Sequence, residues 1–250
     1  MPPSLQDFFR QYPKIALGFS GGVDSAYLLS AGLTCGADIR PYFIRTPFQP
    51  EFELEDARRL ASLLHVPLTV LEYDILSEPA VTANPPDRCY HCKRALFRLL
   101  TRRAAADGYT VLLDGTNASD QADDRPGMRA ICELQVRSPL RECGLTKAQI
   151  RQLSKEAGLF TWDKPAYACL ATRIPAGTPI AASVLSRIEQ AENRLTALGF
   201  SDFRVRVYHD AARIQLPQAQ LPQAVALRDT VLKELKPFFD TILLDMEVRP

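Results

Sequence analysis

Residues 20–25, with the sequence SGGVDS, combine residue types that suit anion binding. They lie between a short apolar run, Lys14 to Phe19, and a segment whose leucines recur at helical spacing. This pattern predicts a strand, a glycine turn and a helix. A helix N-terminus offers backbone N–H groups and the positive end of the helix dipole to a phosphate, and glycines permit its close approach. The segment therefore predicts a phosphate-binding turn.

Two common phosphate motifs do not fit this turn. A P-loop of the Walker type has lysine directly before its closing serine or threonine, whereas Asp24 stands there in this chain. Gly18, Gly21 and Gly22 lack the G-x-G-x-x-G spacing of a dinucleotide-binding turn. The residues alone leave one alternative open, a glycine turn that binds no ligand.

A second polar segment, DGTN at residues 114–117, ends another predicted strand, Thr110 to Asp114. Open α/β sheets bind ligands at the carboxyl ends of their strands, so this segment is a candidate to contact the same nucleotide. A plain turn with Asn117 as a helix cap is the alternative. Further candidates for the surroundings of a nucleotide and magnesium are Asp120, Asp123, Asp124, Arg125, Pro126 and Gly127.

Cys89 and Cys92 form a CxxC motif that contains His91 and precedes a predicted helix, whose N-terminus favours the thiolate form. One CxxC supplies two metal ligands, and Cys169 in the irregular segment PAYACLATRIP is the candidate for a third. Three cysteines would leave one coordination position open for chemistry. The alternatives are unligated cysteines or a structural zinc held with His91. The other cysteines lack a paired motif and are expected to pack as small hydrophobic residues: Cys35, Cys132 and Cys143.

Alternating strand and helix patterns position these segments. Up to about residue 165 they predict an α/β fold with a doubly wound, mainly parallel sheet. Thr146 and Gln149 form a capping box for a helix ending near Ala157. We expect an ATP-binding domain over residues 1–165, a cysteine-bearing loop over 166–180 and a small α+β domain over 181–250. In the small domain the patterns predict helices at 183–198 and 221–235 and strands at 203–208, 212–216 and 241–246.

Arg204 and Arg206 alternate with apolar residues in the first of these strands, which places both guanidinium groups on the face opposite the apolar one. Arginine matches the geometry of phosphate, but an exposed edge strand with arginines for solubility is an ordinary alternative. Arg173, four residues after Cys169, is a third candidate for a phosphate contact.

The composition is that of a folded globular protein. Of 250 residues, 46% are hydrophobic, and 30 basic against 29 acidic side chains give a net charge of +1. This balance argues against binding nucleic acid or anionic membranes through overall charge. No apolar stretch reaches the roughly 18 residues of a membrane span, and the start lacks a signal-peptide pattern, so we expect a cytoplasmic protein.

In this context SGGVDS resembles the signature of the PP-loop ATP pyrophosphatases. Together with RCYHCK, DGTNASD, PAYACLATRIP and FRVRVYHDAARI, the chain resembles the LarE family of ATP-dependent sulfur transferases from about Ile15 to its last strand. The resemblance implies that ATP, with Mg²⁺, adenylates a carboxylate of pyridinium biscarboxylic acid mononucleotide, which sulfur then converts to a thiocarboxylate in nickel-pincer nucleotide synthesis. The implied ATP contacts are Ser20, Gly21, Gly22, Asp24, Ser25, Asp114, Gly115, Thr116 and Asn117.

The same resemblance implies roles for the cysteines and arginines. Cys169 matches the family cysteine that supplies sulfur. Single-cysteine members sacrifice that sulfur and keep dehydroalanine, whereas members with an additional CxxC bind a cubane iron–sulfur cluster through three cysteines. This chain has the three-cysteine pattern, with Cys89, Cys92 and Cys169 as the implied ligands. The resemblance also favours substrate-phosphate contacts by Arg173, Arg204 and Arg206.

Other implications concern the C-terminal domain and partners. Glu192 matches an acidic family position, but Gln215 stands where the resemblance leads us to expect glutamate, which argues against a metal site in this domain. Family members form homo-oligomers, and we expect the same here. A sulfur donor and a downstream nickel-inserting protein are the further partners implied.

Three other functions remain open on the sequence. A tRNA thiolase is also built on SGGxDS, but RNA binding depends on phosphate contacts, and the net charge of +1 argues against it. A nucleotide-binding sensor with a structural zinc would bind ATP without releasing pyrophosphate. An amide-forming synthetase would leave the CxxC motif and Cys169 unexplained.

Overall fold

The structure is a computed structural model that describes residues 4–120 and 126–249, and these fall into two compact units. The first unit runs to Ile75 and resumes from Asp87 to Lys164. The second consists of Leu76–Pro86 and the chain from Pro165 onward. Within the second unit the Asn84 amide donates to the carbonyls of Pro175 at 2.8 Å and Thr178 at 3.1 Å. These bonds explain why the segment before the CxxC motif groups with the C-terminal part of the chain.

The elements follow one another along the chain in the order β-α-β over much of the first unit. The strands are β1 (Lys14–Gly18), β2 (Asp38–Arg45), β3 (Thr69–Glu72), β4 (Leu112–Leu113), β5 (Arg204–Tyr208), β6 (Ala211–Gln215) and β7 (Thr241–Leu244). The helices are α1 (Leu5–Gln11), α2 (Val23–Thr34), α3 (Glu51–Leu63), α4 (Pro79–Thr82), α5 (Arg88–Ala106), α6 (Pro126–Glu133), α7 (Pro139–Glu142), α8 (Lys147–Glu156), α9 (Ala182–Ala197), α10 (Leu221–Ala226) and α11 (Arg228–Leu235). Short 3₁₀ turns span Ile75–Ser77, Leu170–Arg173 and Gln218–Gln220.

The first unit is built on a parallel sheet in the strand order β3-β2-β1-β4. Successive residues of a strand point to opposite faces of its sheet. Accordingly, Leu17 and Phe43 join one buried cluster with residues of α2, whereas Ala16 and Tyr42 join a second cluster with Leu100 of α5. Helices therefore cover both faces, and the predicted doubly wound α/β fold is confirmed.

The strand order creates a switch point beside β1. From β1 the chain passes through α2 to β2 on one side, whereas β4 pairs with the other side of β1. Open α/β sheets bind ligands outside the carboxyl ends of the strands at such a point. Residues 20–25 and 114–117 follow these two neighbouring strands, so the topology brings both predicted nucleotide segments to one edge.

The second unit contains the three-stranded sheet β5-β6-β7. β5 pairs antiparallel with β6, and β6 pairs parallel with β7. Helices α9 and α11 contact each other and α9 contacts β5, so Ile188, Val205 and Leu235 are buried. An α+β arrangement of this kind was expected from the sequence.

Two predicted elements of this unit differ from the structure. The helix predicted over 221–235 is divided into α10 and α11, because Leu227 has φ −93° and ψ 15° and serves as the end of one helix and the start of the next. The last strand ends at Leu244, two residues earlier than expected. In the first unit the predicted capping box is confirmed, since the Thr146 and Gln149 side chains each accept from the other residue's backbone N–H. No helix in the described part of the chain is long and apolar enough to cross a membrane.

Candidate active site

The phosphate turn connects the end of β1 to the start of α2. Gly22 is the N-cap of α2, with extended backbone angles and no side chain that caps the helix within the described residues. The N–H groups of the first helical turn thus keep the orientation that binds anions. The dipole of this 12-residue helix adds positive potential at the same place.

Gly21 is required here for a reason that the sequence did not show. Its φ of +71° lies in the left-handed region, which favours glycine. A Cβ at this position would also lie 3.1 Å from the backbone nitrogen of Ala57 and 3.1 Å from the backbone oxygen of Glu53, both on α3. The turn is therefore packed directly against the backbone of a neighbouring helix.

Ser25 holds the turn together from inside. Its residue is only 3% exposed, and its hydroxyl lies 3.2 Å from the carbonyl oxygen of Gly22, to which it donates. The Ser25 hydroxyl oxygen also accepts from the backbone N–H of Ser20 at 3.3 Å and lies 3.2 Å from the Ser20 hydroxyl. These contacts hold the turn closed at the start of α2.

The DGTN segment is ordered by the carboxylate of Asp114. This residue is 6% exposed and accepts from the Thr116 hydroxyl at 2.5 Å, the Thr116 backbone N–H at 3.2 Å and the Ser138 hydroxyl at 2.6 Å. Ser138 was not singled out from the sequence, because it lies 24 residues away and carries no motif. Asp114 therefore fixes the shape of the segment, which places Thr116 and Asn117 beside the phosphate turn.

Gly115 brings the two segments into contact. A Cβ on Gly115 would lie 3.1 Å from the backbone nitrogen of Ser25 and 3.3 Å from the Cβ of Asp24. The backbone of one segment thus touches the first turn of α2 in the other. The structure thus brings together the two segments that carry the nine predicted ATP contacts, through Gly115 and Asn117.

Asp24 joins a third segment to this group. One of its carboxylate oxygens accepts from the Asn117 amide at 3.2 Å, and the other accepts from the Lys147 ammonium at 2.5 Å. Lys147 is the first residue of α8 and was missed by the sequence analysis. A signal did exist, since a lysine at a helix N-terminus opposes the helix dipole and calls for a partner elsewhere.

The acidic residues after DGTN are described only in part. The Asp120 carboxylate accepts from the backbone N–H of Asn117 at 3.0 Å, so it belongs to the same turn. Gly127 lies in α6 beside the side chain of Lys93. The predicted candidates Asp123, Asp124 and Arg125 lie outside the described residues.

We expect Gly115→Ala to weaken ATP binding without unfolding the protein. The added methyl group would push the backbone of DGTN away from Ser25, and overpacking of this kind should raise the Kd for ATP roughly tenfold. The matched control is Gly32→Ala, whose Cβ would meet Ile39 and Phe9 at 3.1–3.2 Å in the core. Titration calorimetry with ATP on both variants checks the prediction, which fails if Gly32→Ala weakens binding as much as Gly115→Ala does.

The CxxC motif lies within the first two turns of α5 rather than before the helix as predicted. The helix begins at Arg88, and Cys89 is exposed whereas Cys92 is partly buried one turn later. Between them Tyr90 is buried, with its hydroxyl donating to Glu133 at 2.8 Å and the Arg129 guanidinium 3.8 Å from its ring centre. Tyr90 thus anchors the motif to α6.

Cys169 lies in the second unit, at the N-cap of the 3₁₀ turn Leu170–Arg173, and is partly exposed. Its carbonyl oxygen accepts from the Thr172 hydroxyl at 2.8 Å. Among the residues that the structure describes, no group of three or more histidine, cysteine, aspartate or glutamate side chains is arranged to hold a metal ion. Cys89 and Cys92 belong to the first unit, and Cys169 belongs to the second.

Arg204 and Arg206 are not surface arginines of an exposed edge strand. Arg204 is 6% exposed, and it donates to the carbonyls of Phe203 at 2.6 Å and Ala166 at 2.8 Å. Arg206 is partly buried and donates to the side chain of Gln215 and, at 2.9 Å, to the Thr172 carbonyl. Both guanidinium groups are thus oriented by neutral acceptors.

Electrostatics around these arginines favours an anion. Burial, together with the charges of Arg173 and Arg249, lowers the pKa of Arg204 to about 10. Burial and the charges of Arg173, Arg213 and Arg249 also lower the pKa of Arg206. A lowered arginine pKa means that the surroundings disfavour the positively charged form of the side chain. The negative charge of a bound phosphate would stabilise that form.

Gln215 and Arg173 are placed differently from what their predicted roles suggest. The Gln215 side chain accepts from Arg206 at 2.5 Å and donates to the Asp245 carboxylate at 2.9 Å, so it links these two groups. The Arg173 side chain is fully buried and pairs with Glu192 at 2.9 Å. Within the described residues, Arg173 differs from Arg204 and Arg206 in that its guanidinium pairs with a carboxylate.

Comparison with known proteins gives three informative similarities, although no family model matches the chain. The chain is 32% identical over 240 residues to pyridinium-3,5-bisthiocarboxylic acid mononucleotide synthase of Lactiplantibacillus plantarum, covering 95% of this chain and 87% of that protein. It is 36% identical to an uncharacterized protein of Synechocystis, covering 98% and 92% of the two chains. It is 25% identical to the tRNA-specific 2-thiouridylase of Frankia alni over 61% of this chain and 53% of the other.

Proposed function

Because the chain belongs to the LarE family of ATP-dependent sulfur transferases, we propose that it converts a carboxylate of pyridinium biscarboxylic acid mononucleotide to a thiocarboxylate. The observation that carries this proposal is the similarity over 95% of the chain to a synthase of the bisthiocarboxylic acid mononucleotide. The phosphate turn and DGTN segment on a doubly wound sheet support it, since PP-loop enzymes use the same fold to bind ATP. The chain is therefore an ATP-using enzyme of sulfur transfer.

The first step is adenylation of the substrate carboxylate. The carboxylate oxygen attacks the α-phosphorus of ATP, and pyrophosphate leaves with the electron pair of the broken P–O bond. We assign binding of the phosphates to the N–H groups of Gly21 and of the first turn of α2, where backbone donors and a positive dipole lie together. The N–H groups of Ser20 and Gly22 donate within the turn, to the hydroxyls of Ser25 and Ser20. The product is an acyl adenylate, whose AMP group leaves far more readily than oxide does from a carboxylate.

Charge on the triphosphate is the second requirement of this step. Magnesium supplies charge neutralisation when bound, and it is generally held by one or two carboxylates together with phosphate oxygens. Asp24 and Asp120 provide oxygen donors of the right chemistry next to the turn. Lys147 holds the Asp24 carboxylate in position through an ion pair at 2.5 Å.

The second step is sulfur transfer through Cys169. Its thiolate attacks the activated carboxyl carbon, a C–S bond forms and AMP leaves. To release a thiocarboxylate, the thioester must then lose its bond between the Cys169 Cβ and Sγ. Loss of the Cα proton with this bond leaves dehydroalanine, which balances the reaction without an oxidant or reductant.

We propose that Arg204 and Arg206 bind the phosphate of the mononucleotide substrate. Neither guanidinium forms an ion pair with a carboxylate within the described ranges, and each is oriented by neutral acceptors. Their pKa values are lowered by burial and by neighbouring positive charge, so a negatively charged phosphate would stabilise both guanidinium groups. Arg173 is left out of this contact, because its guanidinium donates to Glu192 and to the Ala168 carbonyl.

We further propose that Cys89, Cys92 and Cys169 together bind an iron–sulfur cluster. A cluster bound by three cysteines would supply a sulfide as the transferred atom and spare the cysteine. The presence of both the CxxC motif and Cys169 supports the cluster on residue types alone.

Measuring iron and acid-labile sulfide on protein purified without oxygen tests the cluster. If the cluster form holds, the wild type contains near-stoichiometric cubane iron and Cys89→Ala loses it, because Cys89 would be a ligand. The control is Cys132→Ala, at an exposed cysteine outside the CxxC motif. Wild-type protein that stays free of iron after attempted reconstitution would contradict the proposed cluster. The transferred sulfur would then come from Cys169 itself.

The function itself is tested by following pyrophosphate and AMP. With ATP and the pyridinium biscarboxylic acid mononucleotide, the protein should release both, whereas ATP alone should give little of either. Pyrophosphate release stimulated by tRNA but not by the mononucleotide would contradict the proposal and favour base thiolation.

For partners, we propose that the protein forms a homo-oligomer and works with a sulfur donor and a nickel-inserting protein. The exposed side chains of Leu244, Met246 and Val248 offer an apolar surface for self-association.

A further inference from the structure

A buried ion pair lies directly behind the cysteine-bearing turn of the second unit. Arg173 is 1% exposed, and the carboxylate of Glu192 on α9 lies 2.9 Å from its Nε and 3.1 Å from its second terminal nitrogen. Resting on the function proposed above, we propose that Arg173 and Glu192 are positioning residues that fix the Cys169 backbone for sulfur transfer. Neither residue contacts the reacting atoms in this proposal.

The remaining donors of Arg173 define what it positions. One terminal nitrogen donates to the carbonyl of Ala168 at 2.6 Å, to the carbonyl of Cys169 at 3.3 Å and to the Thr172 hydroxyl at 3.0 Å. The guanidinium thus holds the backbone on both sides of the Cys169 Cα. A planar guanidinium with several donors in fixed directions is suited to this task, whereas a lysine ammonium is not.

Glu192 connects this arrangement to the rest of the unit. Besides Arg173, its carboxylate accepts from the Tyr167 hydroxyl at 2.6 Å and from the backbone N–H of Val205 at 3.0 Å. Tyr167 precedes Cys169 by two residues, and Val205 lies in β5. The Glu192 carboxylate therefore links three parts of the unit by hydrogen bonds: Tyr167 before the cysteine, Arg173 after it, and the strand β5.

The chemistry of this cluster argues for positioning rather than for stability alone. A buried ion pair is weak evidence for stability, because desolvation offsets much of its attraction. All three nitrogens of Arg173 have acceptors inside the protein, so a substrate phosphate would have to displace Glu192 to reach them. What the pair does provide is a defined backbone at the residue whose sulfur must reach the acyl carbon.

The experiment compares Arg173→Lys and Tyr167→Phe with the control Arg194→Lys. Arg194 is also on α9 and pairs with Glu234, but both side chains are solvent-accessible. Tyr167→Phe removes one hydrogen bond to Glu192 without leaving a buried charge, so it keeps the test valid if Arg173→Lys fails to fold. Each protein is assayed for single-turnover thiocarboxylate formation, for pyrophosphate release, and for the iodoacetamide alkylation rate of Cys169 by peptide mass spectrometry.

We expect both test variants to slow thiocarboxylate formation, by about tenfold or more for Arg173→Lys, because small displacements of a reacting group are costly. At saturating mononucleotide their pyrophosphate release should stay within about twofold of wild type, since the substitutions leave the phosphate turn of the first unit unchanged. Alkylation of Cys169 should change relative to that of Cys89 in each test variant and not in Arg194→Lys. Equal loss of both half-reactions, or unchanged alkylation and transfer in a folded variant, would overturn the proposal. Absence of thiocarboxylate with wild type would overturn the proposed function, while the alkylation ratio would still test the positioning.

Discussion

Cys169→Ser is expected to abolish thiocarboxylate formation while the protein continues to release pyrophosphate. Serine keeps the size and the turn at this position but is a far weaker nucleophile and carries no sulfur. Loss of a nucleophile typically costs about 10³-fold or more, and here no sulfur remains to be transferred by the residue itself. The measurement is quantification of thiocarboxylate product and pyrophosphate in the same reaction.

Control variants make this result specific to Cys169. Cys35 and Cys132 are exposed, so the prediction that they pack as small hydrophobic residues is wrong. No role is proposed for either, and Cys35→Ser and Cys132→Ser should both retain full sulfur transfer. Retained transfer in Cys169→Ser would show that the sulfur takes another route. Loss of pyrophosphate release together with transfer would instead place Cys169 in adenylation, contrary to the two-step account.

Gly21→Ala is expected to have the largest effect on the ATP half of the reaction. The residue has φ +71°, and a Cβ would lie 3.1 Å from two backbone atoms of α3, which cannot rotate away as a side chain can. The turn must shift to accept the methyl group, which disorders the N–H groups that bind phosphate. We expect pyrophosphate release to fall by about 100-fold, equivalent to nearly 3 kcal/mol of transition-state stabilisation.

Gly36→Ala is the matched control for this prediction. Gly36 has a similar φ of +76°, but nothing lies within 4 Å of the position its Cβ would take. It therefore incurs the same left-handed strain, of about 1 kcal/mol, without the crowding against α3. If pyrophosphate release falls equally in both variants, backbone strain alone explains the loss and the packing of the turn on α3 does not matter.

The phosphate turn could be predicted because its signal is local. An apolar run, two glycines and a helical leucine pattern fall within about 20 residues, and each part favours the same structure. The same holds for the capping box of α8, which the structure confirms. In contrast, the ion pair between Asp24 and Lys147 joins residues 123 positions apart, and no local pattern specifies such a contact.

In the second unit, the alternation of polar and apolar residues along a strand predicts only part of the environment of its side chains. Alternating residues correctly place Arg204 and Arg206 on one face of β5, but they do not show what covers that face. The carbonyls of Ala166 and Thr172 and the side chain of Gln215 do so, which is why the arginines are buried or partly buried rather than exposed. The sequence offered no way to tell Arg173 from these two arginines. In the structure Arg173 forms a buried ion pair with Glu192, which lies 19 residues later.

The most direct test of the account is the mass of the product. Purified protein is incubated with ATP, Mg²⁺ and pyridinium biscarboxylic acid mononucleotide, and the nucleotide is then examined by mass spectrometry alongside AMP. The account predicts a nucleotide in which one carboxylate oxygen is replaced by sulfur, formed only when ATP is present and accompanied by AMP. A nucleotide of unchanged mass, in protein whose Cys169 is reduced and which binds ATP, would contradict it.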